Sequence, residues 1–323
     1  MLTACTQGDA LTLARMLPDD SVDLLITDPP YGIEGDTLHK HYNRNEEFVL
    51  DGYAEVPAAE YPAFTRAWIE QAARVLRPGG SAFIVSGYSM LLPILTALQD
   101  AGLSEVNHLI WKYNFGVSTT RKFVSSHYHV LYYEKKGGRR TFNQFARFGS
   151  KDRRKDKNGS ALYADLEDVW IINREYKPGQ VKNKNQLPYA LLSKMIQYGS
   201  NPGDLVFDFF LGSFSTAIAA KGLRRRYGGF EVNPIAYEHG SRSLAAAEEG
   251  WLEATVPTGR DDRPARYGEP LTEKESSEIR RFVLGRQEQG ETKKDAVAQA
   301  MSHFGRGYWS IEKLLKRARA GTL

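Results

Sequence analysis

Four consecutive residues, Asp28-Pro29-Pro30-Tyr31, have the chemistry needed to hold an amino group carried on a planar ring. The exocyclic amino group of a nucleobase is a poor nucleophile because its lone pair is shared with the ring. A catalyst must therefore accept hydrogen bonds from its two hydrogens, and the Asp28 carboxylate and the Pro29 carbonyl are two such acceptors. The prolines fix φ and remove donors, while Tyr31 offers a ring on which an extruded base can stack. We predict all four residues as catalytic, against the alternative of a proline turn capped by Asp28.

A second motif nearly two hundred residues later has the spacing of a site for a nucleoside cofactor. Residues 206–216 read as an apolar strand, a turn that contains Gly212, and the start of a helix. The glycine lets the backbone approach a ligand closely, and Glu231, at the end of the next strand, can accept hydrogen bonds from ribose hydroxyls. No G-x-G-x-x-G follows a strand, which disfavours a nicotinamide-dependent dehydrogenase.

The elements that position these motifs alternate in the manner of an α/β fold. Apolar spacing and turn residues predict strands and helices in the following order: strand 21–27, helix 60–76, a break at 77–80, strand 81–86, helix 89–101, strand 106–112, strand 128–133, helix 188–197, strand 204–207, helix 215–222 and strand 226–231. Both motifs follow the carboxyl end of a strand, where open α/β sheets place their active sites.

Three segments depart from this alternation. Residues 135–185 are polar, aromatic and basic, with 14 Lys and Arg against 6 Asp and Glu, although the whole chain has a net charge of only +4. Residues 257–270 hold three prolines among charged residues and are predicted to be a linker. The last stretch predicts helices over 272–287, 292–304 and 308–319, of which the last carries Lys313, Lys316, Arg317 and Arg319. This basic helix is predicted to contact DNA, the main domain or a second copy of the chain.

Composition excludes several function classes. The chain has 323 residues, of which 41% are hydrophobic, and it contains no run of 18 apolar residues. Because its first residues lack the features of a signal peptide, we expect a cytoplasmic protein with no membrane association. The single cysteine, Cys5, excludes an intramolecular disulfide, and no Cys or His pair has the spacing of metal ligands. We therefore predict no metal site.

The order of the motifs resembles that of the β-class DNA amino-methyltransferases, in which DPPY precedes the cofactor motif. The resemblance covers residues 3–245 and also includes Gly8-Asp9 and the LRPGG sequence at 76–80. It implies a permuted Rossmann-like methyltransferase sheet that binds S-adenosyl-L-methionine. The implied domains are a catalytic half (1–134), a target-recognition insert (135–185), a cofactor-binding half (186–256), the linker (257–270) and a helical appendage (271–323).

The resemblance also assigns residues to the ligands. Those implied to bind the cofactor are Asp9, Asp28, Asp208, Phe210, Gly212, Ser213, Ser215, Thr216, Glu231 and Asn233. Duplex DNA is the expected partner, with a base flipped out by about 180°. The basic residues expected to contact phosphates are Lys151, Arg153, Arg154, Lys155 and Lys157. Because the resemblance ties DPPY more often to adenine and a serine-led motif to cytosine, the expected product is N6-methyladenine.

Two residues depart from the family's cofactor motif, which is close to DPFxGSGTT. Phe209 replaces the proline and Phe214 replaces the last glycine. Since a positive φ is unfavourable for a bulky residue, we predict that the turn differs locally at Phe214. The alternatives left open are N4-cytosine methylation, an RNA or protein amino-methyltransferase, and a DNA-binding protein that has lost catalysis. A restriction endonuclease partner and a homodimer are further expectations.

Overall fold

The computed structural model describes residues 3–30, 56–114, 120–121, 123–156, 158–174, 186–260, 266 and 269–319, and of residues 317–319 the backbone only. The chain divides into two compact units after Arg260. This boundary falls within residues 257–270, the segment predicted to be a linker.

Strands and helices alternate along most of the first unit. In chain order they are β1 (Cys5–Gln7), α1 (Ala10–Ala14), β2 (Val22–Thr27), α2 (Tyr61–Val75), β3 (Leu76–Ser86), α3 (Leu91–Asp100), β4 (Ser104–Lys112), β5 (His127–Glu134), α4 (Ala161–Leu166), β6 (Val169–Ile171), α5 (Tyr189–Gly199), β7 (Leu205–Asp208), α6 (Ser215–Gly222), β8 (Arg226–Glu231) and α7 (Pro234–Ala246).

The described strands form one eight-stranded sheet in the order β1-β8-β7-β2-β3-β5-β4-β6. The first five strands of this order are parallel to one another. Strand β5 is antiparallel to both of its neighbours, and β6 is parallel to β4. The carboxyl ends of β1, β8, β7, β2 and β3 therefore lie along one edge of the sheet.

Both faces of the central strands β2, β3 and β7 are buried, which is why these strands have apolar residues at successive positions. In β2, Leu25 packs with helices α1, α2 and α3, whereas Leu24 and Ile26 pack on the opposite face with α5 and α6. Helix α2 buries Trp68, Ile69 and Ala72 in the first of these cores. The sheet is thus packed between two helical layers, which fix the positions of the strand ends at its carboxyl edge.

Two local features differ from the sequence-based expectation. The residues predicted to form a break, Arg77-Pro78-Gly79-Gly80, belong to β3, and the Gly79 N–H donates to the Lys135 carbonyl at 2.7 Å. Gly79 adopts φ +76°, and a Cβ there would lie 2.4 Å from the Arg139 carbonyl oxygen. Because Gly79 has no side chain, the first residues of β3 can lie against residues 135–139, which follow β5. In addition, the basic stretch 135–185 contributes helix α4 and strand β6, which lies at the end of the sheet next to β4.

The described part of the second unit contains three helices: α8 (Glu273–Glu288), α9 (Lys293–Phe304) and α10 (Tyr308–Arg319). Each of the first two begins at a threonine whose side chain accepts a backbone N–H, Thr272 for α8 and Thr292 for α9. Their inner faces make a separate apolar core that includes Ile279, Val297 and Ile311. None of the helices in the described parts of the chain is long and apolar enough to cross a membrane.

Candidate active site

The carboxyl edge of the sheet brings the ends of the two sequence motifs together. Strand β2 ends at Thr27, directly before Asp28, and its neighbour β7 ends at Asp208. The Thr27 hydroxyl donates to Asp208 Oδ1 at 2.8 Å, although 181 positions separate the two residues. Asp28 is partly exposed and Pro29 is buried, so the carboxylate lies at the rim of the edge and the loop behind it is packed. Tyr31 lies outside the described residues.

Asp208 is a fully buried carboxylate that accepts several hydrogen bonds. The Phe210 N–H donates to Asp208 Oδ1 at 2.9 Å, and the Thr216 hydroxyl is a further donor. Burial raises the pKa of Asp208 from 3.8 to about 6, these hydrogen bonds limit the rise, and the charge of Glu231 adds to it. Asp208 therefore ties β2, the turn after β7 and helix α6 together beneath the edge.

Glu231, at the end of β8, is held by the backbone and retains acceptor capacity. Its Oε2 accepts the Gly212 N–H at 2.7 Å, and its Oε1 accepts the Asn233 N–H at 2.8 Å. Burial raises the pKa of Glu231, while its backbone hydrogen bonds lower it. The Val232 N–H is a third backbone donor to this carboxylate. Because a carboxylate has about four lone-pair sites, one acceptor position remains for a ribose hydroxyl. The residues present therefore fit a nucleoside cofactor at the end of β8.

The prediction that the turn differs locally at Phe214 is wrong. Phe214 adopts the left-handed conformation with φ 63°, at the N-cap of α6, and Gly212 has φ 51°. The Phe214 ring is fully buried and contacts Tyr237 edge-on, with 5.7 Å between the ring centroids. It fits because Gly240 of α7 faces it: a Cβ at Gly240 would lie 2.1 Å from Phe214 Cδ2. Burial of the ring thus offsets the strain of the left-handed backbone at Phe214.

The remaining residues predicted to bind the cofactor lie around the same edge, where several side chains already have structural contacts. Asp9 is exposed and caps α1 by accepting the Thr12 N–H at 2.8 Å. Asn233 caps α7. The Phe210 ring packs edge-on against Trp68 at 5.6 Å. Ser213 is partly exposed, whereas Ser215 and Thr216 are buried at the start of α6.

Sequence reasoning missed Thr27, which joins the two motifs. Its only signal is a polar residue at the end of an otherwise apolar strand, next to Asp28. The partner Asp208 cannot be inferred from Thr27 alone, because the contact depends on β2 and β7 being neighbours in the sheet.

A family model described as DNA methylase matches residues 22–241, which is more than half of the chain and contains both motifs. The chain belongs to the DNA methylase family. The predicted family, fold class and enzyme class are thereby confirmed. Members of this family take the methyl group from S-adenosyl-L-methionine, which is the predicted cofactor.

Known relatives of the methylase include two from Haemophilus. It is 29% identical over 251 residues to the Type II methyltransferase M.HpaI of Haemophilus parainfluenzae, covering 76% of this chain and 74% of that protein. It is 26% identical over 238 residues to the Type II methyltransferase M.HinfI of Haemophilus influenzae, covering 71% and 65%. A DNA modification methylase of Thermus thermophilus, solved with S-adenosyl-L-methionine, superposes with a TM-score of 0.55 at 22% identity over 75% of this chain and 93% of that chain. This last likeness shows that the two proteins share a fold.

Four of the basic residues predicted to contact DNA are among the described residues, and they lie on or directly before one loop of the methylase. The loop is closed by a bridge between Arg153 and Ser160, and the Arg154 N–H donates to the Gly159 carbonyl at 3.1 Å. Lys151, Arg153 and Lys155 are exposed. The Arg154 guanidinium lies 3.3 Å from the Asp156 carboxylate, so it is partly neutralised, and Lys157 lies outside the described residues.

Other cations near this loop have structural partners. Arg147 donates to Asp165 Oδ2 at 2.8 Å, and Lys194 of α5 lies 3.6 Å from Asp165 Oδ1. Arg140 pairs with Glu134, and Lys135 pairs with Asp20. These four cations are therefore less available to an anionic partner than the exposed basic side chains described in 135–174, which are Lys136, Arg139, Lys151, Arg153 and Lys155. Among the described residues, no group of three or more His, Cys, Asp or Glu side chains is arranged to hold a metal ion.

Proposed function

We propose that this methylase transfers a methyl group from S-adenosyl-L-methionine to the N6 amino group of adenine in duplex DNA, after extruding the base from the helix. The observation that carries the proposal is the shared edge on which the DPP loop adjoins the cofactor segment. There, the hydrogen bond from Thr27 to Asp208 links the strand before Asp28 to the strand before Gly212. A methyl donor seated at Gly212 and Glu231 and an amine held at Asp28 would therefore be neighbours.

In this proposal each group at the edge has a defined task. Asp28 and the Pro29 carbonyl accept hydrogen bonds from the adenine amine and direct its nitrogen towards the methyl group. Tyr31, outside the described residues, stacks on the extruded base. Glu231 accepts from a ribose hydroxyl, and Asp208 orients the turn through its hydrogen bonds. The cofactor supplies an electrophilic methyl group on a sulfonium. Positioning alone can lower the barrier of such a transfer by about 7–11 kcal/mol.

The further residues proposed for the cofactor surround Gly212 and Glu231: Asp9, Phe210, Ser213, Ser215, Thr216 and Asn233. The DNA phosphates are proposed to meet the basic loop with Lys151, Arg153, Arg154, Lys155 and Lys157.

Adenine is preferred to cytosine because the motif begins with Asp28 rather than serine. The Type II methyltransferases among the relatives support a restriction endonuclease of the same specificity as a partner. We also propose a cytoplasmic location, and a homodimer that light scattering would detect.

The test uses duplex DNA of mixed sequence and S-adenosyl-L-methionine labelled in its methyl group. After digestion to nucleosides, we expect label in N6-methyldeoxyadenosine with the wild-type protein. Asp28→Ala should abolish the label, and calorimetry of cofactor binding by this variant separates loss of the amine acceptor from loss of the cofactor. Asp100→Ala, which removes an exposed carboxylate at the end of α3, is the matched control. Label in N4-methyldeoxycytidine would exclude adenine as the target, and transfer to RNA or protein alone would exclude DNA.

A further inference from the structure

Helix α10 leaves one face uncovered, and that face is both aromatic and cationic. The Trp309 side chain is 78% exposed, and Lys313 and Lys316 are exposed four and seven positions later. Residues at this spacing share one face of a helix. The single carboxylate of the helix, Glu312, is buried and paired with Lys293 of α9 at 2.6 Å. The described exposed charges of α10 are therefore positive.

The opposite face of α10 provides the apolar packing of the unit. Ile311, Leu314 and Leu315 are buried in the core formed with α8 and α9. The exposure of Trp309 is therefore not needed to hold α10 in place, because the packing of the helix is already provided from its other side. A large aromatic ring left in water beside basic side chains offers a surface to a ligand that is both planar and anionic.

The turn before α10 is short and rigidly held. It consists of Gly305, Arg306 and Gly307, with Gly305 in the left-handed conformation at φ 62°. Arg306 is only 1% exposed, and its guanidinium donates to both carboxylate oxygens of Glu275 in α8, at 2.7 and 2.6 Å. Two helices joined by a glycine-containing turn of three residues are typical of helix-turn-helix DNA-binding units. In such units the second helix enters the major groove, and its first residues contact the bases.

We infer that the second unit is a DNA-binding module in which α10 places Trp309 against the bases and Lys313 and Lys316 against phosphates. Trp309 lies in the first turn of the helix, where base contacts are made, and the lysines follow along the same face. DNA fits this face because its described exposed charges are positive, while the adjacent rings of Trp309 and Tyr308, 5.2 Å apart, offer surfaces on which bases can stack. The inference rests on the proposed function in that both require duplex DNA as the substrate.

The experiment measures DNA binding by the full chain, with fluorescently labelled duplex of mixed sequence and anisotropy as the readout. The variants are Trp309→Ala and the pair Lys313→Ala with Lys316→Ala. The matched control removes two exposed lysines from the other helices, Lys274→Ala with Lys294→Ala. Between about 50 and about 200 mM salt, losing two phosphate contacts should reduce the slope of log K against log salt by about 2. At the same time Kd should rise about tenfold or more.

Each outcome decides the inference. The expected result is weaker binding for both α10 variants, a reduced salt slope for the lysine pair, unchanged binding for the control, and an unchanged melting temperature for all. Unchanged binding by the α10 variants, or an equal loss with the control pair, would overturn the inference. A change in oligomeric mass at unchanged DNA affinity would assign the face to a protein contact instead.

Failure of the inference can be told apart from failure of the proposed function. Binding is measured without cofactor, so it does not depend on methyl transfer. With saturating DNA, the α10 variants should keep the kcat of the wild type while the KM for DNA rises. Absence of methyladenine from every sample would refute the proposed function, but it would leave the binding comparison intact.

Discussion

At the scale of single residues, Asp208 combines complete burial with a role as an acceptor for three donors. A neutral carboxyl would suit its surroundings better than an ionised one, which is why burial raises its pKa to about 6. The protein keeps an acidic residue there although ionisation at neutral pH costs stability. We attribute its retention to the acceptor geometry that links Thr27 to the turn after β7.

The pH dependence of stability should report this burial. The pKa of Asp208 is higher in the folded protein than the unfolded value of 3.8. At pH values between these two pKa values, the folded protein therefore binds a proton on Asp208 that the unfolded chain has released. Relative to Asp208→Asn, the wild type should therefore lose about 3 kcal/mol of unfolding free energy as pH rises from about 4 to about 6, and nothing further above that. Urea denaturation across this range measures the difference. Asp100→Asn, at an exposed site, should track the wild type, and a parallel course for Asp208→Asn would refute the explanation.

Phe214 and Gly240 should be coupled energetically. Phe214→Gly relieves the left-handed strain but empties a buried site, so we expect a loss of about 3 kcal/mol. Gly240→Ala should cost about 1–3 kcal/mol in the wild type, because its Cβ would clash with the ring. In the Phe214→Gly background the same alanine should stabilise α7 by about 1 kcal/mol. A double-mutant cycle by urea denaturation tests this change of sign, and additive effects would contradict it.

At the scale of elements, the sequence predicts those whose signals are local. Helix α6 was predicted with its observed bounds, since a glycine turn precedes it and Gly222 is its last residue. Strand β6 was not predicted, because Val169–Ile171 is only three residues long and is surrounded by polar residues. Its position depends on pairing with β4, a contact between segments that are distant in the sequence. The DPPY motif is local and can be recognised from its residue types. The partner of Thr27 cannot, because it lies in a segment that is distant in the sequence.

The basic stretch is tied to helix α5 by a network centred on Asp165 of α4. This carboxylate accepts from Arg147 at 2.8 Å and from the Tyr198 hydroxyl at 2.6 Å, and it lies near Lys194. Burial lowers the pKa of Lys194 to about 8, and the negative charge of Asp165 opposes this. The network therefore depends on the negative charge of Asp165, which compensates the positive charges of Arg147 and Lys194.

Asp165→Asn should leave Arg147 and Lys194 without a counter-charge in a mostly buried site. We expect a loss of about 3 kcal/mol in unfolding free energy, measured by urea denaturation at neutral pH. Asp156→Asn removes a carboxylate from the exposed pair with Arg154 and should cost less than about 0.5 kcal/mol. Equal effects of the two variants would show that the network does not anchor the stretch.

At the scale of the whole molecule, the chain has two units with separate apolar cores, so we expect two unfolding transitions in calorimetry. In the second unit, the hydrogen bonds and charge of Arg306 lower the pKa of Glu275 below 4.5. The ion pair therefore stabilises the second unit at pH values above 4.5, the pKa of Glu275 in the unfolded chain. This stabilisation is lost as the pH falls through the lower pKa of Glu275 in the folded protein.

The transition of the second unit should consequently shift to lower temperature in acid, whereas Glu275→Gln should lower it at neutral pH as well. Removing one partner of a buried pair leaves Arg306 uncompensated, a loss of about 3 kcal/mol. The exposed Glu273→Gln, in the first turn of the same helix, serves as the control and should leave the transition nearly in place. A neutral-pH transition unaffected by Glu275→Gln would contradict the role of the pair.

The contact between Phe214 and Gly240 also constrains how this sequence can diverge. With a ring at position 214, position 240 has no room for a Cβ, since one would lie 2.1 Å from the ring. A descendant that regains glycine at 214 would be released from this restriction and could accept larger residues at 240. The two positions should therefore covary among relatives: glycine at 240 where 214 is aromatic, and a side chain at 240 where 214 is glycine.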